Sequence, residues 1–262
     1  HGIYHSNSSD YATIRGNISY SNNGCGYHNN GDIDAGAPGE IRYVLYEKNT
    51  AYGNGTTGGG AINCSGESHS VYRNNLLYGN LAGGFTFYMG GSAVGSHDNK
   101  IYNNTVVMPS NGRFAVLVDA ASTNDIFINN IFISSHAFKG SYTIASPTLT
   151  GFQSDYNVLN SDHFNTDGEV ADPLVTIDFT AWKALGYDAN SITATTDQLF
   201  VDAAGGNYHL KAGSPAIDVG TDLTSAGVTD DFEGRARPVG TRVAGGGYEY
   251  RGVAVVGGRV FA

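Results

Sequence analysis

Six short apolar stretches, each led by an asparagine, punctuate the first 160 residues of the chain. They begin at Asn17-Ile18-Ser19-Tyr20, Asn49-Thr50-Ala51-Tyr52, Asn75-Leu76-Leu77-Tyr78, Asn104-Thr105-Val106-Val107, Asn130-Ile131-Phe132-Ile133 and Asn157-Val158. The steps between these asparagines are 32, 26, 29, 26 and 27 residues. The stretches are too short to show a helical period, and Gly, Asn and Ser bound them, so they predict β-strands. Their near-constant spacing predicts a repeat architecture in which no repeat buries its own apolar face and stacking creates one continuous core. Strands stacked in register would place the asparagines above one another at ~4.8 Å intervals. Such a column forms a ladder, each amide bonding the next.

A second segment recurs in phase with the first. It reads Gly2-Ile3-Tyr4-His5-Ser6, Gly26-Tyr27-His28-Asn29-Asn30, Ala61-Ile62-Asn63-Cys64-Ser65, Gly84-Phe85-Thr86-Phe87-Tyr88 and Ala115-Val116-Leu117-Val118-Asp119. Successive side chains of a strand point to opposite faces. Ile3, Tyr27, Ile62, Phe85 and Val116 are therefore expected to line the core. Tyr4, His28, Asn63, Thr86 and Leu117 form one outward column, and Ser6, Asn30, Ser65, Tyr88 and Asp119 its neighbour. The sequence predicts a single domain over 1–262, with regular coils over 1–133 and irregular coils and a C-terminal cap over 134–262. The second coil carries extra residues at 32–39, and insertions in solenoids collect on one side and often edge a binding face. One short helix is expected from Asp178 as N-cap to Gly186 just past its end. Residues 197–250 are expected to give short strands that cap the C-terminal end.

The motifs His1-Gly2-Ile3-Tyr4, Arg73-Asn74-Asn75-Leu76-Leu77-Tyr78 and Asn103-Asn104-Thr105-Val106 resemble those of the right-handed parallel β-helix superfamily, which includes pectate lyases. The runs 208–218 and 231–238, with Gly247-Tyr248-Glu249-Tyr250 behind them, resemble segments seen near the ends of such chains. The resemblance implies an all-β, right-handed parallel β-helix. It also implies ligands along the outward face of one sheet, edged by long loops. It does not imply one activity, because this architecture carries many chemistries.

Glycine accounts for 37 of 262 residues and proline for 6, which fits many tight turns. Fourteen basic residues stand against 24 acidic ones, a formal net charge of −10. That balance argues against nucleic acid, whose phosphates call for basic patches. It also disfavours direct capture of polyanionic sugars unless Ca²⁺ bridges them. No run approaches the ~18 apolar residues of a membrane span. An extracellular or cell-surface location is the expectation from this acidic, lysine-poor composition. The chain starts inside what reads as a coil, so an upstream portion, a cap or self-association is expected to cover the first coil. Cys25 and Cys64 align about four residues apart along the strand, ~13 Å, too far for a disulfide.

The candidate chemistry lies in the two outward columns and the insertion. His28 can act as acid or base near neutral pH. Asp32 follows closely and is expected to orient His28 or hold a cation, while Tyr88 is expected ~10–14 Å away by strand stacking. Tyr4 and Tyr88 offer stacking faces to a sugar, and Asn30 and Asn63 offer hydrogen bonds. Arg113 offers a positive charge for a uronate carboxylate, with Arg73 a second cation that shares the coil position of Arg15. Asp119, with Asp32 or Asp34, can supply the carboxyl pair of a hydrolase. His97 beside Asp98 reads as loop. No Asp-Pro-His-Asp run, zinc-spaced Cys/His cluster, phosphate loop or dinucleotide motif is present. The expectation is a secreted protein that binds, and as lyase or glycoside hydrolase cleaves, an extracellular polysaccharide. The alternative is a noncatalytic surface, adhesive or fibre-forming module.

Overall fold

A computed structural model describes the chain except for residues 8, 120, 168–175, 253, 257–258 and 262. Residues 168–175, which the sequence assigns to the irregular coils, thus lie outside the described part. Six coils stack into a parallel β-solenoid, and each contributes one strand to each of three parallel sheets. The first sheet runs Ile3–Ser6, Tyr27–Asn30, Ile62–Ser65, Phe85–Tyr88, Val116–Val118, Tyr142–Ile144. The second holds Thr13–Arg15, Leu45–Glu47, Val71–Arg73, Lys100–Tyr102, Ile126–Ile128 and Gln153–Asp155. The third begins at Ile18–Tyr20, continues through the strands after each ladder asparagine, and ends at Ile192–Thr193. Tyr27, Ile62, Phe85 and Val116 are fully buried, as alternation requires, and Ile3 packs against the same core.

The asparagine ladder forms as expected. Each Nδ2 donates to the next Oδ1, from Asn17 to Asn49 (3.1 Å), Asn75 (3.1 Å), Asn104 (2.8 Å), Asn130 (3.1 Å) and Asn157 (3.1 Å). Each Oδ1 also accepts the backbone N–H of the preceding rung, which satisfies the corner between the second and third sheets. A shorter ladder, Asn22–Asn54–Asn80, holds the corner after the third sheet. Asp188 closes the long ladder by accepting from Asn157 Nδ2 at 3.0 Å, while its other oxygen accepts from Trp182 Nε1 at 2.8 Å.

The C-terminal region departs from expectation in two ways. A second helix, Thr196–Leu199, follows the expected one at Phe179–Ala184, because the Gln198 side chain accepts the Thr195 N–H at 2.9 Å and starts a turn. The first helix, with Trp182 fully buried, packs over the last coil beside Phe152 and Phe164. Residues 197–250, expected to give short strands that cap that end, do give the short strands Phe200–Asp202 and Asn207–Leu210, but run along the flank. Lys48 pairs with Asp230 at 2.6 Å, Asn74 Nδ2 donates to Asp230 O at 2.9 Å, and Asn103 and Asn129 donate to Ala244 O and Thr221 O. The cause lies in the third sheet. Leu76-Leu77, Val106-Val107 and Ile131-Phe132-Ile133 are apolar on both faces, the mark of strands covered on both sides. Leu76, Val107, Ile131 and Ile133 are buried under Phe200, Tyr208, Leu210 and Tyr248. Arg237, almost fully buried, pins the flanking segment through Glu249 Oε1 at 2.6 Å.

Both cysteines are buried and free, and Asn29 pairs in register with Cys64, so the expected offset holds. Among the described residues, no helix is long and apolar enough to cross a membrane.

Candidate functional site

The outer face of the first sheet is exposed at Tyr4 and part-exposed at His28, Asn63, Thr86 and Tyr88, and register places the outward columns as the alternation requires. Tyr4, His28, Asn63, Thr86 and Leu117 are successive Cα partners, as are Ser6, Asn30, Ser65 and Tyr88. Asp119 joins the second column through its N–H, which donates to Phe87 O at 2.9 Å. The exposed end of this face is aromatic. The Tyr4 ring meets the edge of His28 at 5.1 Å, and the Tyr4 hydroxyl accepts from Asn30 Nδ2 at 3.0 Å.

Tyr88 stands two strands from His28, yet its hydroxyl lies 3.3 Å from His28 Nε2. The expected ~10–14 Å separation holds for backbones stacked ~4.8 Å apart, not for the tip of a phenol. Ser65, the small residue between Tyr88 and Asn30 in their column, leaves Tyr88 room to lean back along the sheet toward His28 in the neighbouring column. Burial lowers the His28 pKa, so its imidazole is neutral at neutral pH. Burial pushes the Tyr88 hydroxyl up to about 12, so it keeps its proton. The pair is thus a neutral base beside a protonated acid.

Next to this pair opens a cleft of about 280 Å³. Its polar lining is Asn63, Thr86, Tyr88, Arg113 and Asp119, with Phe114 and Leu117 apolar beside them. Glycines at 59, 60 and 83 form part of the wall. The fit at 83 is close: a Cβ there would stand 2.4 Å from the Phe114 ring and 2.9 Å from Thr86 Oγ1. Four of the eight expected site residues therefore share one cleft: Asn63, Tyr88, Arg113 and Asp119. His28 joins them through Tyr88, and Tyr4 and Asn30 extend the face beyond His28.

Asp32 does not join them. Its carboxylate accepts the Asp34 N–H at 3.1 Å and caps the turn Ile33–Ala35, which is the ordinary use of Asp in a glycine-rich loop. The expected orienting contact to His28 is replaced by that of His1, whose Nε2 lies 3.3 Å from His28 Nδ1. The insertion still edges the face, since Ile33 N–H donates to Gly91 O and Ala93 N–H donates to Gly39 O. Arg73 lies on the second sheet, where it and Arg15 share Glu47 at 2.9 and 2.7 Å. Its role there is structural.

Beneath the same strands lies a polar cluster that sequence reasoning missed. Asn29, on the inner side of the His28 strand, donates to Glu67 and accepts from Tyr46, and the Cys64 thiol lies 3.0 Å from the Tyr72 hydroxyl. Glu67 is fully buried, and desolvation pushes its pKa up to about 7. Asn29 on an inward position was the available signal. Two groups of three metal-capable side chains occur among the described residues, His1 with Cys25 and His28, and His69 with His97 and Asp98. Neither is an all-oxygen set of the kind calcium prefers. No family model and no curated protein sequence matches the chain.

Proposed function

We propose that the first-sheet cleft binds a uronate-containing polysaccharide outside the cell and cleaves it by β-elimination. The observation that supports this most is the His28–Tyr88 pair at 3.3 Å beside a cleft that also holds Arg113. Elimination calls for a base for the proton α to the carboxylate, an acid for the leaving glycosidic oxygen, and a positive group for the charge that develops. His28 would take the carbon-bound proton. The electron pair left behind forms the sugar double bond and expels the glycosidic oxygen, which takes the Tyr88 proton. Arg113 would face the substrate carboxylate, with Asn63 and Thr86 bonding ring hydroxyls and Tyr4 stacking on a neighbouring sugar. Hydrolysis is less well supported, since it calls for two carboxyl groups ~5–10 Å apart. Asp119 is the one carboxylate among the described cleft residues.

The test is incubation with uronate-containing and neutral polysaccharides. The expected product carries unsaturated ends, detected by ultraviolet absorbance. His28→Ala and Tyr88→Phe should each slow its release ~10²–10⁴-fold. The wild-type rate should fall on the acid side as His28 takes a proton, with a midpoint below 6.5. New reducing ends without unsaturation would show a hydrolase instead. Binding without cleavage would leave a noncatalytic glycan-binding face.

A further inference from the structure

A second cluster of side chains lies at the corner between the first and second sheets and shares no residue with the cleft. Tyr11, Tyr43, His69, Asp98 and Asn124 occupy the same corner on successive coils, all left-handed, with φ of 62°, 60°, 54°, 56° and 60°. Such backbone is uncommon for Tyr and His and persists only where the surroundings hold it. Here the stacked corners hold it: Tyr43 N–H donates to Ser68 O, His69 N–H to His97 O and Asp98 N–H to Thr123 O. The result is a staircase of rings, Tyr11 on Tyr43 at 5.0 Å, Tyr43 on His69 at 5.3 Å and His69 on His97 at 5.6 Å.

We propose that His69, His97 and Asp98 form a site for a divalent transition-metal ion, with Glu40 as the carboxylate that orients His97. One ligand atom from each of the three lies within 4.8 Å of the others. Tetrahedral bonds of ~2.0–2.2 Å separate ligand atoms by ~3.3–3.6 Å. Rotation of His69, which is exposed, closes the wider separations, and rotation of the partly exposed Asp98 opens its 2.7 Å separation from His97 Nδ1. The two nitrogens of His97 are already divided between two tasks. Nδ1 lies 2.7 Å from Asp98 Oδ2, on the side of the ion. Nε2 lies 3.3 Å from Glu40 Oε1, and Glu40 is itself held by the Ser68 hydroxyl. A carboxylate on the far nitrogen fixes the tautomer and raises the basicity of the metal-facing nitrogen. Two imidazoles and one carboxylate select zinc, nickel or copper(II) over calcium or magnesium. The ligands come from the third and fourth coils and the orienting Glu40 from the second, so an ion fastens successive coils together.

The experiment is titration of chelator-treated protein with Zn²⁺, followed by calorimetry and thermal unfolding, with Co²⁺ absorption as a coordination readout. One equivalent should bind and raise the unfolding midpoint, and Co²⁺ should show the bands of low-symmetry nitrogen and oxygen ligation. His69→Gln, at an exposed side chain, should weaken binding at least ~10-fold, and Glu40→Gln should weaken it ~10–100-fold at unchanged stoichiometry. His209→Gln, at another exposed histidine paired with a carboxylate, should change nothing. Absence of saturable binding overturns the proposal. So does binding that survives His69→Gln with His97→Gln, or binding that is lost in His28→Gln, which places the ion with His1 and Cys25.

Discussion

Replacing Asn104 by alanine should destabilise the protein by ~3–5 kcal/mol. Asn104 is fully buried in mid-ladder. Its Nδ2 donates to Tyr72 O (2.9 Å), Tyr102 O (3.1 Å) and Asn130 Oδ1 (3.1 Å), and its Oδ1 accepts from Asn75 N (2.9 Å) and Asn75 Nδ2 (2.8 Å). Alanine removes all five bonds and strands the Asn75 N–H and the Tyr72 carbonyl where water does not reach. Each buried group left unsatisfied costs ~1–3 kcal/mol. At ~2–4 °C per kcal/mol for a chain of this size, the thermal midpoint should fall by ~6–20 °C. Asn17→Ala gives the contrast. Asn17 is only half-buried and donates to Asn49 at one end of the ladder, so its loss should cost ~1 kcal/mol or less. Denaturant unfolding of the two variants measures the difference. Equal losses would mean that the amides act as turn formers one by one and not as a ladder.

Glu67→Gln should stabilise the protein at pH 8 by up to ~3 kcal/mol and do little at pH 4. The folded-state carboxyl is raised from 4.5 to about 7 by complete burial, with hydrogen bonds from Tyr72, Ser70 and Asn29 only partly offsetting the loss of water. Below pH 4.5 the group is protonated both folded and unfolded, and its burial carries no ionic penalty. Between pH 4.5 and about 7 the unfolded chain ionises first, so stability falls as pH rises. Above about 7 the full penalty applies, because a charge is buried with Glu67 Oε1 unpartnered. Glutamine removes that charge and keeps an oxygen for Asn29 Nδ2. Asp125 adds a slope of the same sign, since burial raises its pKa well above 3.8 and its Oδ2 also lacks a partner, so the variant should keep some pH dependence. Denaturant unfolding at pH 5 and pH 8 on wild type and variant measures the effect. A variant less stable than wild type at both pH values would show that Glu67 works as a hydrogen-bonded anion.

The solenoid was legible because its determinants are periodic. The 32-, 26-, 29-, 26- and 27-residue steps in the sequence are the separations across which the ladder amides bond. Alternation likewise placed Tyr4, His28 and Asn63 outward and Tyr27 and Ile62 inward. What the sequence hid depends on reach and cover. A strand count puts Tyr88 two steps from His28, and the length of the Tyr88 side chain, leaning across the small Ser65 of its own column, brings the hydroxyl to the imidazole. Asp32 is near His28 in sequence, but the Asp34 amide it caps is nearer still in space. The flanking path of residues 199–250 carried a signal in the doubly apolar strands Leu76-Leu77 and Ile131-Phe132-Ile133, which alternation alone does not use. His97-Asp98 read as loop because His69 and Glu40, its partners, are 28 and 57 residues away in the chain and meet it only through stacking.

We propose that stacking assembles one glycan-binding face from residues of five separate coils. Backbone amide NMR during titration with an unsaturated or intact uronate oligosaccharide tests it most directly. Saturable shifts should appear together at residues 28, 63, 86–88 and 113–119, while the strands Leu45–Glu47, Val71–Arg73 and Lys100–Tyr102 stay still. No saturable shift with any oligosaccharide offered, or shifts confined to that second sheet, would contradict the account.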